Sequence, residues 1–306
     1  MRMQKALIPL LVAALLLSSA CVYVVLPEGL DLSAKAEATG WGAVVTGVSP
    51  AAGGGLHVDI TIRNATADWS AMSAVDGQPA VLTTADGAEH DCATVFVGTG
   101  GHRLAPGFQM RGYTTGTKKE PKTQLIYVEC AGVDSGAGAS LAIDYISYSG
   151  ELDYYHQEEG QAAGTLELEL DDVAADLTYP IYEPLDGLIQ KADVSITALS
   201  ENVITLKSVQ RTADGLEFTW GNYNPTEFAL KIHIGNPPVI GSDGVIYGIY
   251  EIMDLASVPL TPAGGSVEWA TKVAVPPEVT GLYLLSSVES KNMRLYVNYA
   301  IDITDK

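Results

Sequence analysis

Two stretches 160 residues apart (215 less 55) share one plan, and this internal repeat limits the chain more than any other feature. GLHVDITIRNAT, from Gly55 to Thr66, and GLEFTWGNYNPT, from Gly215 to Thr226, both open on Gly-Leu, alternate, and close on Asn-x-Thr. In the first copy Leu56, Val58, Ile60 and Ile62 fall on one side, and His57, Asp59, Thr61 and Arg63 on the other. That is the period of a half-buried β-strand. More landmarks recur in order. Asp86-Gly87 and Asp243-Gly244 favour tight hairpins. Leu104-Ala105-Pro106-Gly107 matches Leu260-Thr261-Pro262-Ala263, Leu125 to Val128 matches Leu282 to Leu285, and Leu141 to Tyr145 matches Leu295 to Ile303. The offset stays near 157 residues, which chance matches would not hold across five landmarks. The chain reads as two copies of one all-β unit.

The length of 306 residues suffices for two domains, each with its own core. Many glycines and tyrosines, with Val, Ile and Thr, also point to a β-protein. The expected divisions are a signal peptide or anchor over 1–26, a linker over 27–39, a first unit over 40–172, a connector over 173–192 and a second unit over 193–306. Leu166, Leu168 and Leu170 alternate with Glu167, Glu169 and Asp171, which predicts a last strand of the first unit with one apolar and one acidic face. Such a face also discourages edge-to-edge aggregation.

The first 26 residues stand apart. Arg2 and Lys5 precede an almost wholly apolar run from Ala6 to Leu26, the pattern of an export signal or anchor. Three readings stay open. Cys21 after Leu17-Ser18-Ser19-Ala20 resembles a bacterial lipoprotein signal, with Cys21 lipidated; Ser18 and Ala20 also suit ordinary cleavage and secretion. An uncleaved helix over Ala6 to Leu26 would be about 30 Å long, enough to span a bilayer. Each puts the globular part outside the cytoplasm, membrane-anchored in two of the three. In that compartment Cys92 and Cys130, the two remaining cysteines, read as one disulfide, with two buried free thiols as the alternative. The net charge of −20 argues against nucleic acid, which needs clustered Lys and Arg, and favours solubility through a solvated acidic surface, or cations or basic partners.

A strand closing on Asn-x-Thr, an Asp-Gly hairpin and Leu-x-Pro-Gly before another strand together resemble the immunoglobulin-like modules found behind bacterial lipoprotein signals. The Asn-Pro-Thr ending is also similar to water-stress sandwich domains. The resemblance implies two tandem immunoglobulin-like β-sandwich domains, and several such families have no assigned function. The antibody-type Cys…Trp…Cys pattern is missing, because no Trp lies between Cys92 and Cys130.

No catalytic set is legible: there is no Gly-x-Ser-x-Gly, Ser-x-x-Lys or His-Glu-x-x-His. No metal, cofactor or enzymatic activity is expected. His90 and Cys92 share a strand face, close enough for a metal or a thiolate pair, but the reading preferred is Cys92 in a disulfide and His90 an exposed strand residue. The acidic tract from Glu151 to Asp176 could offer calcium ligands but lacks a binding loop. Tyr145, Tyr148, Tyr154, Tyr155 and His156 beside it could form a platform for a carbohydrate or small ligand. Pro237, Pro238, Val239, Ile240 and Tyr247 make a proline-stiffened, apolar stretch, the expected contact for a protein or cell-surface partner. The same residues could instead form a tucked hairpin. The expectation is a membrane-tethered, non-enzymatic binding or assembly protein, with the carbohydrate or small-ligand module as the alternative.

Overall fold

The alternating and Gly-punctuated text folds into strands joined by turns. The structure, a computed structural model, describes residues 40–66, 68–117, 120–149, 161–171, 173, 189–191, 195–197, 203–229, 233–234, 238–248, 259–290 and 295–304. The protein is all-β, with no helix among the described residues. The first half contains β1 (Trp41–Pro50), β2 (Leu56–Asn64), β3 (Ser70–Ala74), β4 (Ala80–Thr83), β5 (Glu89–Cys92), β6 (Thr94–Phe96), β7 (Gln109–Met110), β8 (Gly112–Thr117), β9 (Glu120–Leu125), β10 (Tyr127–Cys130), β11 (Ser140–Ser149) and β12 (Gln161–Glu169). The second contains β13 (Ile189–Lys191), β14 (Ser195–Thr197), β15 (Val203–Thr212), β16 (Gly215–Tyr223), β17 (His233–Ile234), β18 (Val239–Ile240), β19 (Val245–Tyr247), β20 (Ser266–Val273), β21 (Tyr283–Ser290) and β22 (Leu295–Asp302).

In the first half one sheet runs β1-β2-β10-β6, with β7 also on β2, and a second runs β12-β11-β4-β5, with β3 also on β11. Their apolar faces share one core. Val58, Ile60 and Val128 come from the first sheet, and Leu82, Leu141 and Leu168 from the second. Cys92 on β5 and Cys130 on β10 form a disulfide, S–S 1.96 Å, which ties the two sheets together. His90 to Val97 reads as one strand in the sequence, but the chain breaks at Ala93 and crosses from the second sheet to the first.

The second half repeats these pairings. Strand β15 pairs β16 as β1 pairs β2, and both pairs carry an irregularity at one equivalent place, Val45/Gly47 and Leu206/Ser208. Gly55 and Gly215 both have positive φ, and a Cβ there would lie 2.2 Å from the Cys130 carbonyl oxygen or 2.1 Å from that of Val273. That close approach explains the Gly that opens each copy. The closing Asn-x-Thr is also alike in both. The Asn64 amide donates to the Asp68 and Leu104 carbonyls, 2.9 and 2.8 Å, and its oxygen accepts from the Thr66 amide and hydroxyl, 3.0 and 2.6 Å. Asn224 donates to Phe228 and Thr261, 2.7 and 3.2 Å, and accepts from Thr226, 3.0 and 2.7 Å. Thr261 thus stands where Leu104 stands, one residue out of the sequence match. Ile62 and Leu104 share the first core, whereas their counterparts Asn222 and Thr261 hydrogen-bond at 2.7 Å.

The strand pairing corrects two landmark matches. Strand β21 holds the place of β11, and β22 that of β12: Leu141 pairs with Leu82 and Leu168, and Leu284 with Val239 and Ile301. So Leu282 to Leu285 does not correspond to Leu125 to Val128, nor Leu295 to Ile303 to Leu141 to Tyr145. The reason lies at β20. It pairs along the whole of β16, from Tyr223↔Ser266 to Leu216↔Val273. In the first half the same place is filled in two pieces, β7 and then β10. Between them, residues 112–125 leave as the hairpin β8–β9, closed at its base by the Ile126 amide donating to the Arg111 carbonyl, 2.8 Å. Met110 to Val267 is an offset of 157 (267 less 110), whereas Cys130 to Val273 is 143 (273 less 130). The difference equals the length of the hairpin, which is an insertion in the first copy.

That hairpin crosses to the other half. Strand β8 pairs in parallel with β19, Val245↔Gly112 and Ile246↔Tyr113. The Thr114 hydroxyl donates to the Gly248 carbonyl, 2.9 Å, and the Gly248 amide donates to the Thr114 hydroxyl oxygen, 3.0 Å. The sheet β13-β22-β21-β18-β19-β8-β9 therefore contains strands of both halves. Val239, Tyr247, Leu284 and Ile301 pack into the second core, while Ile240, Ile246, Leu285 and Ala300 pack into the first.

Candidate functional site

The repeat separates what the fold needs from what one half has added. On the outward side of β2 and β10, Glu129 lies opposite His57 and Tyr127 opposite Asp59. The counterparts in the second half are Lys272 opposite Glu217 and Ala270 opposite Thr219. The His57 Nδ1–Glu129 contact, 3.1 Å, thus has its equivalent in Lys272 Nζ–Glu217, 2.8 Å. A cross-strand pair at this place serves the sheet in both halves. Asp59 and Tyr127 belong to the first half alone.

These additions form a row. Asp59 lies 3.1 Å from His57 Nε2, so the imidazole is held between two carboxylates. Burial opposes its charge, but the hydrogen bonds and charges of Glu129 and Asp59 outweigh that and raise its pKa above the ordinary value. The His57 ring stacks on Tyr127, centroids 4.6 Å apart, and Tyr127 meets Phe96 at 4.9 Å. Burial and the Glu129 charge raise the phenol of Tyr127, which stays neutral. Phe96 ends the row on β6 and is 46% exposed.

Beyond Phe96 opens a cleft of about 570 Å³ between β6, the β3–β4 connection and the glycines that follow β6. Phe96, Tyr113, Ser73, Asp76 and Gln78 supply its rings and polar side chains, and none of its described lining residues is Lys or Arg. Tyr113 comes from the inserted hairpin. It is seated over Gly100, where φ is +59° and a Cβ would lie 2.6 Å from the ring. His102 backs Tyr113, centroids 5.9 Å apart, and burial pushes its pKa down to about 4. The floor is fixed by the Thr99 amide donating to the Met72 carbonyl and the Ala74 amide donating to that of Val97, both 2.8 Å. A pocket of this size with preset walls and a few polar groups suits a small ligand.

The stretch expected to contact a partner lies elsewhere and is not a surface. Val239 and Ile240 are fully buried, and Tyr247 is 5% exposed with its hydroxyl donating to Asp243. Pro238 is half-buried, its carbonyl accepting from the Leu285 amide at 2.8 Å; Pro237 lies outside the described residues. This is the tucked hairpin. Its continuous apolarity comes from being covered on both faces, one side chain entering each core. What it contacts is the first half of the same chain. Of the residues expected to form a tyrosine platform, Tyr145 is buried, its hydroxyl accepting from the Trp41 amide at 3.1 Å, while Tyr154, Tyr155 and His156 lie outside the described residues.

Cys21, the N-terminal 39 residues and most of the acidic tract also lie outside the described residues. Among those described, no helix is long and apolar enough to cross a membrane, and no group of three His, Cys, Asp or Glu could hold a metal ion. Phe96, Asp76, Gln78 and Tyr113 were not marked by any sequence motif. The available signal was slight: Phe96 is one of four phenylalanines and falls on the polar side of its strand. No model of a known protein family matches the chain, and no curated protein is significantly similar to it.

Proposed function

We propose that this is an exported, membrane-tethered, non-enzymatic protein of two tandem immunoglobulin-like sandwiches, and that it binds a ligand in the cleft between β6 and the β3–β4 connection. The observation that carries the reading is the cleft itself, walled by Phe96 and by Tyr113 from an insertion that the second copy lacks. A fold that closes without this hairpin in one copy does not need it for closure in the other. Tethering rests on the apolar run before Cys21 and assembly on the immunoglobulin-like resemblance. The test is thermal-shift screening of the full-length protein against sugars, nucleosides, amino acids and polyamines, beside Phe96→Ala. At least one compound should raise the melting temperature of the wild type and not of the variant. If every compound that shifts the wild type shifts Phe96→Ala equally, the cleft is not the site.

A further inference from the structure

We infer that the cleft takes a neutral saccharide, with one sugar ring stacked on Phe96. This rests on the proposed function above and names the ligand class of the same site.

The geometry of the aromatic row is the first reason. His57, Tyr127 and Phe96 succeed one another at 4.6 and 4.9 Å, with interplanar angles of 27° and 34°. His57 stacks on Tyr127 and Tyr127 meets Phe96 at a tilt, so Phe96 is the terminal ring of the row. It also lines the cleft and is 46% exposed. An aromatic face offers apolar area and a negative quadrupole. The C–H groups on one side of a sugar ring match both.

The second reason is the charge of the lining. Among the described residues it contains no Lys or Arg, so a phosphate or carboxylate would lose its water without a compensating cation from them. Asp76 is the one carboxylate among its described lining residues, and the two carboxylates of the row are already engaged with His57. A polyamine would meet a single counter-charge. Ser73, Asp76 and Gln78 together offer a hydroxyl, a carboxylate and an amide. Hydroxyls both donate and accept, and a carboxylate and an amide present the matching groups. A polyhydroxylated neutral ring is the ligand class that uses all three without bringing a charge. The cleft is neither a closed cavity nor flat surface, which suits one or two units of a longer glycan better than full enclosure of a small molecule.

Preset walls favour binding because little order has to be gained. The disulfide at Cys92 roots the segment leading into β6, and Tyr113 is seated over Gly100.

The experiment is saturation-transfer NMR followed by calorimetry on the full-length protein in detergent. The probes are neutral trisaccharides of glucose, N-acetylglucosamine, mannose and galactose, with a sialylated trisaccharide and spermidine as charged probes. At least one neutral trisaccharide should bind. Phe96→Ala should weaken it at least about tenfold, ~1.4 kcal/mol, while Phe96→Trp retains it. Asp76→Asn should weaken it less than Phe96→Ala. The melting temperature of Phe96→Ala should be close to wild type, because the ring is half exposed. Binding of spermidine or the sialylated probe alone, lost in Phe96→Ala, would overturn the saccharide assignment and leave the cleft as the site. Neutral saccharide binding that ignores Phe96, or no binding by any neutral trisaccharide, would overturn it as well.

Discussion

Deleting residues 112–125 and joining Arg111 to Ile126 should give a first half whose third strand is continuous. The second half already shows that arrangement, with Glu268 and Trp269 adjacent in β20 where Arg111 and Ile126 stand apart. What is lost is the β8–β19 pairing, while Ile240, Ile246, Leu285 and Ala300 still pack into the first core. The two Thr114–Gly248 hydrogen bonds contribute about 1 kcal/mol net each. Removing the partly buried Tyr113 costs about another 1–2 kcal/mol. A loss of about 3 kcal/mol from a half of ordinary domain size lowers its midpoint by about 10 °C. Each half contains two tryptophans, Trp41 and Trp69 or Trp220 and Trp269, so Trp→Phe pairs let fluorescence follow each half by itself. We expect the deletion variant to keep its β-sheet circular dichroism, to melt earlier through Trp220 and Trp269, and to lose ligand binding with Tyr113. A variant that aggregates, or loses the environment of Trp41 and Trp69, would refute the reading of the hairpin as an insertion.

Other outcomes follow from the same structure. Asn64→Ala and Asn224→Ala should each destabilise by about 2–4 kcal/mol, because each leaves carbonyls and an amide unpaired at a strand end; denaturant titration of both should give similar values. Val239→Ser and Ile240→Ser should lower stability by about 1–3 kcal/mol each and leave ligand affinity unchanged, as measured by melting and calorimetry. His102 is held neutral with its pKa lowered to about 4, against about 6.5 when unfolded, so the stability it contributes is complete above pH 6.5 and is lost as pH falls toward 4. At pH 4.5 that loss is roughly 2–3 kcal/mol, and His102→Gln should flatten the wild type's fall in melting temperature between pH 7 and 4.5.

Local chemistry was legible in the sequence and long-range coverage was not. Alternation in Leu56 to Ile62, the Asp-Gly turns and the Asn64–Thr66 and Asn224–Thr226 bonds depend on neighbours a few residues away, whereas the bonds from Asn64 to Leu104 and from Asn224 to Thr261 do not. Cys92 and Cys130 were legible from their count and the expected compartment. The inserted hairpin was hidden because Gln109 to Thr115 and Leu125 to Cys130 read as ordinary strands, and only pairing shows that β2 takes its partner from both. Val239 to Tyr247 misled for a related reason. An apolar run buried on both faces and one exposed to a partner have the same composition, and Ile240 and Ile246 reach their partner only across the chain. The cleft joins residues from β3 to β8 with no shared spacing, so Asp76, Phe96 and Tyr113 carried no common signal.

The most direct measurement is hydrogen–deuterium exchange of the full-length protein with and without the tightest-binding trisaccharide. Protection of peptides covering 72–79 and 95–101, with 238–248 unchanged, is the expected result. Protection at 238–248 or on the second half, with 72–79 and 95–101 unchanged, would contradict the placement of the site in the first-half cleft.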